Sequence, residues 1–109
     1  MDAKTIETLT ALTAMLRARK QADAGKSYVA SLYQKGAKKI AQKVGEEAVE
    51  TAMAVAADDN QDIIAESADL LFHLMVLLEA RGLSLNEVVQ ELARREGISG
   101  IAEKANRNQ

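Results

Sequence analysis

The chain has no cysteine, no proline and no tryptophan, and its 109 residues include only three aromatics, Tyr28, Tyr33 and Phe72. The missing thiols exclude disulfides, thiolate catalysis and cysteine-ligated zinc or iron–sulfur centres, and make a reducing compartment, the cytoplasm, the simplest home. Charge of one sign is also missing. With 14 Lys plus Arg against 16 Asp plus Glu, the net charge is −2, so no global field attracts nucleic acid or an acidic membrane. No apolar run approaches the ~18 residues of a membrane span, and no basic start leads into an unbroken apolar stretch. A soluble, unprocessed protein is expected. Neither G-x-x-x-x-G-K-[ST] nor G-x-G-x-x-G occurs, which removes the P-loop and dinucleotide-fold routes to phosphate.

What remains is dominated by Ala, Leu, Glu, Lys and Gln, a mixture of high helix and low strand propensity. Period-two alternation is nowhere sustained, so the expected fold is all-α, a bundle of four to five helices in one domain over residues 1–109. Ile6, Leu9, Leu12 and Leu16 mark a first amphipathic helix over about 3–19. Ser27 is placed to cap a short helix carrying Tyr28, Val29, Leu32 and Tyr33 and ending near Gly36. A long helix follows to about Ala57, with Ile40, Val44, Ala48, Thr51 and Val55 as its expected core stripe. DDNQD reads as a turn in which Asn60 or Asp62 caps a fourth helix running to about Arg81. Leu70, Leu71, Leu74, Leu77 and Leu78 make that helix the one expected to be most buried. Ser84 and Glu87 match a capping box and start a fifth helix with Leu85, Val88, Val89 and Leu92 inward. From about residue 98 the chain turns polar and is expected to form a short helix or a mobile tail.

Against this apolar background stand two acidic clusters, Glu46, Glu47 and Glu50 in KVGEEAVE and Glu66 and Asp69 in AESADLLFH. Carboxylates at i and i+3, and at i and i+4, crowd one helix face and repel by a few tenths of a kcal/mol per exposed pair. Taken alone, E-x-x-E on an Ala-rich helix is ordinarily solvated surface charge. The short turn, however, makes the two helices antiparallel neighbours, and at ~1.5 Å rise per residue both clusters lie roughly 6 to 11 Å from it. Four carboxylates can therefore converge between two helices, a donor set suited to a hard divalent cation and, for Mg²⁺, to work on substrate phosphates. A di-iron site would call for Glu-x-x-His on two helices. The sequence has one histidine, His73, better placed behind the carboxylates than among metal ligands. Lys35, Lys38, Lys39 and Lys43 precede the acids; Lys43 can pair with Glu46 and Glu47 or reach a phosphate, and spacing leaves both open. The aromatics are expected in the core, with a tyrosine as a possible stacking partner for a base.

The order E-E-x-x-E, then E-x-x-D, resembles the metal motif of the all-α nucleotide pyrophosphatases, the MazG and dimeric dUTPase superfamily. Within it, SYVASLYQKGAKKIAQKVGEEAVETAMA followed by ESADLLFHLMVLLEARGLSLNEVVQEL is similar to the phosphoribosyl-ATP pyrophosphatase family, over roughly residues 5–105. The resemblance implies Mg²⁺-dependent hydrolysis of phosphoribosyl-ATP to phosphoribosyl-AMP and pyrophosphate, the second step of histidine biosynthesis, without the cyclohydrolase domain fused to some relatives. It implies Glu47, Glu50, Glu66 and Asp69 as metal ligands and Glu46, Glu47 and Glu50 as the catalytic stretch, with Glu46 orienting or deprotonating the attacking water. It further implies a homodimer or higher assembly. A housecleaning pyrophosphatase for non-standard nucleoside triphosphates is the alternative that shares the same metal site. Lys39 and Lys43, and equally Arg94, Arg95, Lys104 and Arg107, are candidates for holding substrate, and the sequence does not rank them. Clustered acids without metal should have raised pKa values, and activity should fall at mildly acidic pH.

Overall fold

Local capping sets the helix boundaries in the computed structural model, which describes residues 1–96. Among these residues five α-helices and no strand occur: α1 Ala3–Ala18, α2 Tyr28–Lys35, α3 Ala37–Ala56, α4 Asn60–Ala80 and α5 Leu85–Arg95, with a 3₁₀ turn at Arg19–Gln21. Asp2 caps α1 by accepting from the Thr5 amide, and Ser27 caps α2 by accepting from the Ala30 amide. Ser84 and Glu87 form the expected reciprocal capping box. Gly36, at φ 92°, ends α2 and begins α3 in one residue, a conformation open to glycine. The polar stretch from about residue 98, together with Lys104 and Arg107, lies outside the described residues.

Only Ala57, Asp58 and Asp59 separate α3 from α4. The Asp59 amide donates to the Ala54 carbonyl and the Asp58 amide to that of Val55, a Schellman closure with Asp58 at φ 57°. The next helix is capped by Asp59, not by Asn60 or Asp62 as the sequence suggested. Asp59 is the last extended residue, and its side chain accepts from the Asp62 amide. The tight link lays α3 against α4, the most extensive helix pairing among the described residues.

The core gathers Leu16 from α1, Val29 and Leu32 from α2, Ile40 from α3, and Met75 and Val76 from α4. Several expected core positions lie outside it. On α3 the buried residues are Ile40, Glu47 and Ala54, whereas Ala48 and Val55 are exposed. The stripe thus turns away from Val55 toward a small alanine and a glutamate that abuts His73. On α4 the most buried residues are His73, Met75, Val76 and Glu79, while Leu71 is exposed and the other four leucines are half-buried. Ile6, Val89 and Leu92 are exposed as well, because among the described residues little packs on the outer face of α1 or on α5.

One polar contact in the interior has no apolar pattern to announce it. Glu79, 3% exposed, receives a bidentate pair of bonds from Arg17 Nε and Nη2, both at 3.1 Å, and has Lys20 Nζ at 3.8 Å. A buried carboxylate is tolerated only with such partners, and here they tie α1 to α4. The hydrogen bond and charge of Glu79 raise the Arg17 pKa. Nearby, the Tyr33 hydroxyl donates to the Leu16 carbonyl at 2.8 Å, and burial, followed by the charge of Glu79, pushes the phenol up to about 12.

Candidate active site

Glu47 sits seven residues from both Ile40 and Ala54, within the buried stripe of α3. A carboxylate there needs compensation, and α4 supplies it through His73, which is also buried. His73 Nδ1 lies 2.6 Å from Glu47 Oε1 and 3.0 Å from the Asp69 carbonyl oxygen, one turn back on its own helix. The ring N–H is aligned on the carbonyl, so Glu47 Oε1 gains proximity to the N–H dipole but no aligned donor of its own. The other ring nitrogen, Nε2, is 2.9 Å from the Tyr28 hydroxyl. Both ring nitrogens are therefore engaged by protein groups.

Glu50, one turn beyond Glu47, meets Glu66 across the helix pair. Contact with the Glu50 carboxylate, then burial, then the negative charges of Glu50, Asp62 and Asp69 push the Glu66 pKa up to about 7. Glu66 Oε2 is buried and has no donor. Two buried carboxylate oxygens without donors, one on α3 and one on α4, are the kind of vacancy in hydrogen bonding that a hard cation satisfies. Among the described residues, no three of His, Asp and Glu already surround one point closely enough to enclose an ion. Glu50 and Asp69 are both solvent-exposed.

The raised Glu66 pKa has a signed consequence for the metal-free protein. A carboxyl whose folded-state pKa exceeds its ordinary value of 4.5 contributes stability that is fully present below that value and is lost as pH rises through about 7. Melting temperatures in chelator should therefore fall between pH 5 and pH 7.5, and Glu66→Gln should flatten the decline. An unchanged slope in that variant would mean another group is responsible.

Glu46 lies elsewhere on α3. It accepts from Gln42 Nε2 at 3.1 Å and lines a cleft of about 190 Å³ between α2 and α3 together with Leu32, Lys35, Lys39, Gln42 and Lys43. The structure thus brings Glu46, Lys39 and Lys43 to one basic cleft, and Glu47, Glu50, Glu66 and Asp69 to the neighbouring α3–α4 seam. Among the described residues Lys43 forms no ion pair with Glu46 or Glu47. Arg94 and Arg95 both pair with Glu91 on α5, and Arg94 foremost holds that carboxyl down at about 2.

Sequence reasoning gave Tyr28 no role beyond core or stacking. The residue is 53% exposed, its ring stacks on Phe72 at 6.5 Å and 16°, and its hydroxyl meets His73. The signal was present in the SY and FH pairs of the motif, without a geometry to connect them.

Comparison with known proteins adds the following. Residues 9–96 match the family described as phosphoribosyl-ATP pyrophosphohydrolase. The chain is 53% identical over 102 residues to the phosphoribosyl-ATP pyrophosphatase of Erythrobacter litoralis, covering 94% of this chain and 98% of that protein. It is 57% identical over 100 residues to that of Azorhizobium caulinodans, covering 92% of each. It is also 54% identical over 84 residues to a histidine biosynthesis bifunctional protein of Vibrio cholerae, covering 77% of this chain and 40% of that one.

Proposed function

Since this chain belongs to the phosphoribosyl-ATP pyrophosphohydrolase family, we propose that it hydrolyses phosphoribosyl-ATP to phosphoribosyl-AMP and pyrophosphate in histidine biosynthesis, with Mg²⁺ held by Glu47, Glu50, Glu66 and Asp69. The observation that carries the metal assignment is the pair of donorless buried oxygens, Glu47 Oε1 and Glu66 Oε2, on facing helices. An all-oxygen, all-carboxylate set suits Mg²⁺ over softer metals. When bound, Mg²⁺ supplies charge neutralisation for the triphosphate and its leaving pyrophosphate.

The chain's own residues do the rest. Lys39 and Lys43 present ammonium groups from the adjoining cleft, where they attract and hold phosphate oxygens. On this reading Glu46, which accepts from Gln42 Nε2 at the rim of the same cleft, takes the proton of the attacking water and orients it. Glu47 stays ordered because its helix buries it and His73 abuts it. Crowding of Glu50 against Glu66 is electrostatically unfavourable and so favours uptake of a cation.

The same reading assigns a homodimer or larger assembly. Val49 and Met53 on α3 and Ile64 on α4, all more than half exposed, leave apolar surface that supports it. A cytoplasmic home fits the absence of cysteine, and no described helix is long and apolar enough to cross a membrane.

The experiment is pyrophosphate release from phosphoribosyl-ATP, dUTP and dCTP, each with Mg²⁺ and with chelator. Turnover is expected to be fastest with phosphoribosyl-ATP and to stop in chelator. Faster cleavage of the free nucleotides would point to a housecleaning enzyme, and undiminished activity in chelator would remove the metal from the reading.

A further inference from the structure

We infer that Tyr28 and His73 are positioning residues for Glu47: a Tyr28–His73–Glu47 chain fixes that carboxylate in the orientation from which it receives a divalent cation. The inference rests on the carboxylate-site reading above and extends it to two residues outside the acidic motif.

The chemistry of the ring leaves little freedom. Nδ1 faces two acceptors, Glu47 Oε1 at 2.6 Å and the Asp69 carbonyl at 3.0 Å. An unprotonated Nδ1 would set its lone pair against both, so this nitrogen carries the proton. In the neutral ring Nε2 then holds the lone pair and accepts from the Tyr28 hydroxyl at 2.9 Å. The tautomer is thus set from both ends. Tilt is set as well, because the ring stands edge-on to Phe72 at 5.2 Å and 88° and to Tyr28 at 6.1 Å and 86°. Rotation about either side-chain torsion would break a hydrogen bond and a ring contact together.

Glu47 needs such a support. Its Oε1 has no aligned donor, and its helix neighbours hold only its backbone, through the Thr51 hydroxyl on the Glu47 carbonyl at 2.8 Å. His73 is the group that restricts where the carboxylate points. Partners of this kind behind a metal-binding group raise affinity by removing its wrong rotamers. His73 cannot itself take a metal without giving up Tyr28 or both acceptors. Tyr28 is the first residue of α2, so the support also ties the start of that helix to the α3–α4 seam.

Because the chain has one histidine, ¹⁵N-labelled protein reports the ring without ambiguity. The wild type should show the Nδ1–H tautomer, and Tyr28→Phe, which keeps the ring stack, should shift the Nε2 resonance alone. Affinity for Mn²⁺, read from the electron paramagnetic resonance signal of free ion, separates support from bulk. His73→Gln, whose amide reaches the Nε2 position, should lose roughly 10-fold or more. His73→Asn, whose amide N–H replaces Nδ1–H, should stay within about threefold of wild type on the same scale. Melting temperatures verify that each variant is folded. Equal losses in the two His73 variants, wild-type affinity in His73→Gln, or an Nε2–H tautomer would each overturn the inference. A wild-type protein that binds no Mn²⁺ would instead sink the carboxylate reading, and the inference with it.

Discussion

Glu50→Gln is expected to abolish Mg²⁺-dependent turnover while making the metal-free protein more stable, not less. The two effects have one source. The hydrogen bond that a protonated Glu66 makes to the Glu50 carboxylate, then burial, then the charge of Glu50, push the Glu66 carboxyl up to about 7, so above that pH the two carboxylates repel. An amide removes the repulsion and can offer Glu66 Oε2 the donor it lacks. The same change removes a carboxylate from the proposed cation site. If the ion supplies several kcal/mol of transition-state stabilisation, at about 1.4 kcal/mol per tenfold the rate should drop on the order of 10³-fold. Asp69→Asn should lose turnover likewise. Pyrophosphate release and thermal melting in chelator measure the two arms, with helical circular dichroism near wild type in both variants. Retained activity in both would defeat the metal assignment; a lower melting temperature for Glu50→Gln would show that Glu50 contributes packing that outweighs its charge.

The second large effect concerns the orientation of α3. Ile40 is 0% exposed and touches the central cluster, so Ile40→Ala should remove about 2 to 5 kcal/mol. Against a total of roughly 5 to 15 kcal/mol for a domain this is a large fraction, and in a chain of this size it lowers the melting temperature by about 10 °C or more. Val55, which apolarity alone places on the same stripe, is 59% exposed. Val55→Ala should stay within about 0.5 kcal/mol. Denaturant titration of both variants tests the helix orientation directly. A comparable loss at Val55 would mean that this face is covered in solution by a second copy.

These two residues also show what the sequence could and could not convey. Helix limits were legible to within about two residues, because caps are local chemistry: Ser27, the Ser84 and Glu87 box, and glycines at positive φ speak for their own backbone. The pairing of α3 with α4 was legible for the same reason, from a short polar link. The rotation of each helix was not. Apolarity ranks Val55, Leu71 and Val89 as core, yet burial depends on which neighbour arrives, and the contact chosen by α3 puts Glu47 and Ala54 inside. Long-range polar partners were equally silent. Nothing in the spacing links Arg17 to Glu79 or Tyr28 to His73, pairs separated by 62 and 45 positions. Of the site, the acids were visible as a pattern. Their division into a buried Glu47, a contacting Glu50 and Glu66, and a Glu46 turned to the basic cleft required three dimensions.

The three-residue link between α3 and α4 carries a consequence for the order of events during folding. Contacts between segments so near in sequence close with little loss of chain entropy, and chains rich in them reach the native state quickly. The α3–α4 hairpin is therefore expected to form in the rate-limiting ensemble, before α1 docks. The acids straddle that hairpin, so their mutual repulsion is felt at the barrier as well as at the end. Stopped-flow refolding should then run faster in Mg²⁺ and in Glu50→Gln, with most of each gain appearing in the folding limb of the chevron. A gain confined to the unfolding limb would place hairpin closure after the barrier.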